Sequence, residues 1–120
     1  MQKLTHREEE IMRILWDLRK AFVKEIIEQM SEPKAPYNTV SSVVRKLETM
    51  GMVGYEAFGK THRYYPILEK ENYRKASFSS FMSNYFGGSP AQLLSYFVKE
   101  ENLSQEEIEQ LLTELKSQQS

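Results

Sequence analysis

The 120-residue chain contains no cysteine, which removes disulfide frameworks, thiolate metal sites and cysteine nucleophiles together. Aspartate and histidine are nearly as scarce: Asp17 is the only aspartate, and His6 and His62 are the only histidines. A Ser-His-Asp set could draw only on Asp17. No nucleophile elbow, oxyanion-hole sequence, glycine-rich phosphate loop or HExxH accompanies it. Glu8-Glu9-Glu10 and Glu106-Glu107 suit favourable charges in first helical turns better than metal ligands. No catalytic residue, metal site, cofactor or small-molecule substrate is expected. Long apolar runs are missing too: none approaches the roughly 18–20 residues of a membrane helix. The opening Met1-Gln2-Lys3-Leu4-Thr5 runs straight into charge, without a secretory apolar region. A cytoplasmic protein is the expectation.

What is present is the composition of one soluble domain or two small lobes, with 40% apolar and 28% charged residues. The net charge of −1 hides an asymmetry. Residues 1–66 carry 11 Lys/Arg against 9 Asp/Glu, whereas residues 67–120 carry 5 against 8. The excess of cations concentrates in residues 34–66, where Lys34, Arg45, Lys46, Lys60 and Arg63 face only Glu48 and Glu56. A polyanion could sit there and would be repelled by the C-terminal third. A pI near 6.2 argues against a bulk electrostatic coat.

Apolar residues recur at helical spacing in five places. The stripes are Ile11/Ile14/Leu15/Leu18, Val23/Ile26/Ile27/Met30, Val40/Val43/Val44/Leu47, Phe78/Phe81/Met82/Tyr85 and Ile108/Leu111/Leu112/Leu115. Pro90/Leu93/Leu94/Phe97 is a weaker sixth. Thr5 with Glu8, and Ser104 with Glu107, have the spacing of capping boxes, and Leu103 with Ile108 that of a hydrophobic staple. Pro33 and Pro36 bound a connector, Gly51 stops the third helix, and Gly87-Gly88 forms a joint. Between the third and fourth stripes, Met52–Phe58 and His62–Ile67 are rich in β-branched and aromatic residues. They read as two strands around a Gly59-Lys60-Thr61 tip, with Pro66 placed for the end of an edge strand.

Three short helices followed by a hairpin are the layout of a winged helix-turn-helix, in which the third helix enters the major groove. At about 100° per residue from Val40, the outward face of that helix centres near 160°. Asn38, Ser42, Arg45 and Thr49 lie within about 40° of that direction, with Ser41 and Lys46 flanking within about 80°. Arg45 can fork onto a guanine edge and Asn38 can pair with adenine. Ser41 and Ser42 can read bases or phosphates, and Thr39 at the helix start suits a phosphate. Lys60, His62 and Arg63 on the hairpin would hold backbone charge. The expected fold is mainly α with a small β-hairpin. A winged helix-turn-helix domain over 1–67 is followed by a helical dimerisation arm over 68–120.

The run Leu4-Thr5-x-x-Glu8-x-x-Ile11-Met12-x-Ile14-Leu15-Trp16 resembles the opening of the BlaI/MecI/CopY repressors, the penicillinase-repressor family. Asn38-Thr39-Val40…Val44-x-Lys46-Leu47-x-x-Met50-Gly51-Met52-Val53 is similar to that family's recognition helix. Arg63-Tyr64-Tyr65-Pro66 resembles the end of its wing. Phe86-Gly87-Gly88-Ser89 and Leu103-Ser104-x-x-Glu107-Ile108 resemble its dimerisation arm. The resemblance implies a homodimeric bacterial repressor on a double-stranded DNA operator. It also implies release after a membrane-bound sensor protease, or its signal, leads to cleavage of the arm. The family's scissile Asn–Phe bond falls on Tyr96-Phe97, where Phe97 matches and Tyr96 differs. Ser41-Ser42 departs from the commoner Lys-Thr-type pair, and the C-terminal cysteine pairs of the copper-responsive branch have no counterpart here.

The arm points the same way without the resemblance. Phe78, Phe81, Tyr85, Leu93, Leu94, Phe97, Ile108, Leu111, Leu112 and Leu115 are too much apolar surface for some 50 residues to bury alone. A two-fold partner bringing the same stripes would cover it; the competing arrangement packs the arm back onto the N-terminal lobe. The competing function is a winged helix used for protein contact, with Tyr55, Phe58, Tyr64 and Tyr65 as its adhesive surface.

Overall fold

The computed structural model describes residues 3–119, so Met1 and Gln2 of the charged opening lie outside it. The chain divides into two compact units, one ending at Ser77 and the other beginning at Phe78.

The first unit starts with α1 (His6–Leu18). Its Thr5/Glu8 capping box is formed: Thr5 N–H donates to Glu8 Oε1 at 2.9 Å, and Glu8 N–H donates to Thr5 Oγ1 at 3.2 Å. A two-residue strand, β1 (Ala21–Phe22), leads into the six-residue α2 (Val23–Glu28), and α3 spans Tyr37–Thr49. The last apolar residue of the second stripe, Met30, is buried although it lies beyond the end of α2. Gly51, at φ +78°, reverses the chain after α3. Gly51 N–H donates to Glu48 O and Met52 N–H to Leu47 O, both at 2.9 Å. That pair of bonds is the Schellman pattern, whose left-handed residue is cheap only for glycine.

The hairpin is β2 (Val53–Phe58) and β3 (Thr61–Pro66), antiparallel from Val53↔Pro66 to Phe58↔Thr61. Its tip is therefore two residues, Gly59-Lys60, with Thr61 already paired. Gly59 takes φ +64°, the first-position glycine of a type II′ turn whose twist matches the strands. β1 adds a third strand through Ala21↔Tyr64 and Phe22↔Arg63, giving the order β1-β3-β2. β3 is thus the central strand and not an edge. Pro66 is tolerated because it ends β3, beyond the residues that β1 pairs.

Packing follows the stripes. Ile11, Met12, Leu15, Ile26, Val40, Val44, Leu47 and Val53 are fully buried in one core. The start of α4 (Lys70–Phe86) belongs to this unit. Trp16 Nε1 donates to Leu68 O at 2.8 Å, Trp16 and Tyr73 rings lie 5.7 Å apart, and Tyr73 Oη donates to Glu9 Oε2 at 2.8 Å. These ties explain why the units divide inside α4.

The second unit holds the rest of α4, then α5 (Pro90–Glu100) and α6 (Gln105–Gln118). Ser89 caps α5, and Ser104 with Glu107 forms the expected capping box on α6. Phe81 and Phe86 rings sit 5.5 Å apart and Phe86 meets Tyr96 edge-on at 5.6 Å. Met82 is the one residue buried in these helices.

Leu47→Ala removes a fully buried side chain that joins α3 to the core. Urea unfolding should show a loss of about 2–5 kcal/mol; a loss under about 0.5 kcal/mol would contradict this packing.

Candidate nucleic-acid interface

Burying Val40, Val44 and Leu47 commits one side of α3 to the core, so the opposite side must face solvent. Asn38, Thr39, Ser42, Arg45, Lys46 and Thr49 are exposed and Ser41 is half-buried. Arg45 Nε donates to Ser41 O at 3.4 Å and Thr49 Oγ1 donates to Arg45 O at 3.1 Å. Each tether links side chain to backbone one turn back along the helix.

A groove of about 660 Å³ separates this helix from the hairpin and the start of α2. Ser41 and Arg45 line one wall, and Lys60, Thr61, His62 and Tyr64 line the other. His62 stacks on Tyr55 at 4.2 Å and lies edge-on to Tyr64 at 6.1 Å, so neighbouring rings hold its imidazole in place. Burial raises the Tyr64 phenol above its ordinary pKa. Arg63, in register with Glu56 and Phe22, is not among the residues that line the groove. The structure thus brings Ser41, Arg45, Lys60 and His62 together and separates Arg63 from them.

Five groove residues were not singled out from the sequence: Phe22, Lys24, Tyr37 and the two carboxylates Glu25 and Glu28, which offset part of the positive charge of the walls. Lys24 could have been found from its place beside Val23 on α2, off that helix's apolar stripe. Tyr37, the first residue of α3 and 47% exposed, carries no pattern of its own. Phe22 belongs to a strand too short for periodicity to reveal; its ring meets Phe58 at 5.6 Å.

Lys46 is engaged within the protein. Its Nζ lies 2.7 Å from Glu8 Oε2, a carboxylate that is nearly sealed from solvent. The ammonium beside it and the Thr5 N–H hold the Glu8 carboxyl below its ordinary pKa. Tyr73 does the same for Glu9, followed by Arg13.

Helices α1, α2 and α3 with a three-stranded wing, and a polar helix face beside a groove of mixed charge, define a winged helix-turn-helix protein. The family model described as Penicillinase repressor matches residues 4–117, and the chain belongs to that family of transcriptional repressors. It is similar to the methicillin resistance regulatory protein MecI of Staphylococcus aureus (strain N315), 29% identical over 111 residues that cover 91% of this chain and 89% of MecI. It is also similar to the penicillinase repressor of Bacillus licheniformis, 22% identical over 110 residues covering 91% of this chain and 86% of that protein. A solved structure titled "CopR Repressor Structure" covers 57% of this chain and 100% of its own, at 29% identity and a TM-score of 0.47. No helix among the described residues is long and apolar enough to cross a membrane.

Because its folded pKa is depressed, Glu8 stabilises the fold above its unfolded value near 4.5. That stabilisation is lost as pH falls through the lower folded value, and Glu9 adds to it with the same sign. Denaturation series between pH 6 and pH 3 should show a flat region and then a decline. Glu8→Gln should make that decline shallower; an unchanged acid limb would contradict the assignment.

Proposed function

We propose that this protein is a repressor that binds a palindromic DNA operator as a homodimer and lets go when its C-terminal arm is cut. The observation that carries the reading is the outward face of α3, polar and free of acid at Asn38, Ser41, Ser42, Arg45 and Thr49, standing beside the groove that Lys60 and His62 line. In this reading residues 1–67 bind DNA and residues 68–120 hold the dimer together. Arg45 and Asn38 read base edges, Ser41, Ser42 and Thr49 adapt to bases or phosphates, and Thr39 meets a phosphate at the helix start. Lys60, His62 and Arg63 hold the backbone, and Lys46 flanks the face with its charge already opposed by Glu8.

The arm supports pairing by what it leaves uncovered. Phe78, Phe81, Tyr85, Leu94, Phe97, Leu111, Leu112 and Leu115 are all exposed, Tyr85 by 72%, while Leu93 and Ile108 are half-buried. A second copy supplies matching stripes, and two tethered half-site contacts raise the effective concentration of the second. The modest positive charge of the reading surface then suffices. Tyr96 and Phe97 are exposed on α5, and Glu101 N–H donates to Phe97 O at 3.0 Å. Cutting between them, by a membrane-bound sensor protease or an effector it controls, requires the last turn of α5 to open locally. The cut removes Phe97 and the α6 stripe, at roughly 1.5–3 kcal/mol per buried side chain. Several kcal/mol of dimerisation go with it, and each 1.4 kcal/mol is about tenfold in affinity.

Selection of bound fragments from genomic DNA by the purified chain should recover a two-fold symmetric sequence. Arg45→Ala should then weaken binding to it by about 1–3 kcal/mol, read by fluorescence anisotropy. Unchanged affinity would remove Arg45 from base reading. Binding that barely responds to salt between 50 and 200 mM would favour protein contact through Tyr55 and Phe58 instead, since phosphate contacts weaken steeply over about that range.

A chain ending at Tyr96 should sediment as a monomer and lose at least about tenfold in operator affinity. A stable dimer that still holds the operator would overturn the release mechanism.

A further inference from the structure

Glu8 is the one buried charged side chain among the described residues, 4% exposed, and it serves two helices at once. Oε1 accepts the Thr5 N–H that closes the α1 capping box. Oε2 is left over, and Lys46 Nζ of α3 occupies it at 2.7 Å. Among the described residues no other side-chain hydrogen bond or ion pair joins α3 to α1. The core the two helices share, through Val40, Val44 and Leu47 of α3 with Ile11 and Leu15 of α1, is apolar, and such contact is non-directional. An apolar stripe fixes which side of a helix is buried but tolerates small rotations and slides. An ion pair with a dry carboxylate tolerates them poorly, because the displaced charge cannot be rehydrated cheaply.

The consequence is geometric. Side-chain tips stand about 5–6 Å from a helix axis, so a rotation of about 20° moves them by about 2 Å. A base-edge hydrogen bond survives shifts of only a few tenths of an ångström. We propose that Glu8 is a positioning residue: by holding Lys46 it sets the rotation of α3 and so the sequence discrimination of the Asn38–Thr49 face. The inference rests on the DNA-reading role of that face. It assigns Lys46 a tether inside the protein in place of a phosphate contact.

The test uses the full chain and the variants Glu8→Gln, Lys46→Met, Lys46→Arg and the double Glu8→Gln/Lys46→Met. Gln at position 8 keeps an acceptor for the Thr5 N–H and loses the charge that holds Lys46. Affinity is measured for the selected operator duplex and for a mixed-sequence duplex, at a temperature where circular dichroism shows every variant folded. Glu8→Gln and Lys46→Met should each lower the operator-to-mixed ratio about tenfold, the double should be no worse than either single, and Lys46→Arg should keep the ratio. Should Glu8→Gln not fold, the contrast between Lys46→Met and Lys46→Arg decides. A lowered Tm with an unchanged ratio would overturn the proposal, leaving Glu8 a stability residue only. So would equal weakening on both duplexes by Lys46→Met with a shallower salt dependence, which marks a phosphate contact. If the unaltered chain itself fails to prefer the operator duplex, the DNA reading has failed and the proposal falls with it; a preserved preference with no effect of the variants sinks the proposal alone.

Discussion

The structure depends on a single constraint: α3 has one apolar side and must bury it. Val40, Val44 and Leu47 are fully buried alongside Ile11 and Leu15 of α1. Because these contacts consume one side of the helix, the other side is presented to solvent whatever its chemistry. Its chemistry is then what gives the fold a use. A row of one amide, several hydroxyls and one guanidinium, with no carboxylate among them, is displayed on a rigid element instead of a loop. The three-stranded wing stands across a groove from it and adds Lys60 and His62.

Directional interactions refine what burial leaves loose. The Schellman turn at Gly51 hands the chain from α3 to β2 over three residues, Met50 to Met52, so helix and wing are held in a short, stiff connection. The stacking of His62 on Tyr55 fixes one wall of the groove. The bonds of Trp16 to Leu68 and of Tyr73 to Glu9 bind the first turns of α4 to α1. The helix that begins the arm therefore starts as part of the winged unit. The arm itself follows a different rule: most of its large apolar side chains are exposed, Phe86, Leu93, Leu103 and Ile108 are half-buried, and Met82 alone among them is buried.

Most of the architecture was legible in the residues. Stripes at helical spacing located the helices, and the Thr5/Glu8 and Ser104/Glu107 boxes formed as their spacing implied. The hairpin was visible in its aromatic and β-branched runs. β1 was not, because two residues carry no period, and its absence made β3 look like an edge strand. Thr61 follows Gly59-Lys60 in a pattern that looks like tip, although it pairs with Phe58. The outward set on α3 could be derived from angles alone. Its link to Glu8 could not, since a capping box accounts for that glutamate completely and gives no hint of a spare oxygen. Likewise, nothing in the sequence pattern distinguishes Tyr37 as a groove residue; only the folded walls bring it to the same space as Lys24.

In the proposed reading, DNA sits on the solvent side of α3 and the tip of the wing. Amide and side-chain NMR shifts, followed while the operator duplex is titrated into labelled protein, test it most directly. Large changes at Asn38–Thr49 and Gly59–Arg63 and small ones along α6 are the expected result. Changes concentrated on α5 and α6, with α3 silent, would contradict it.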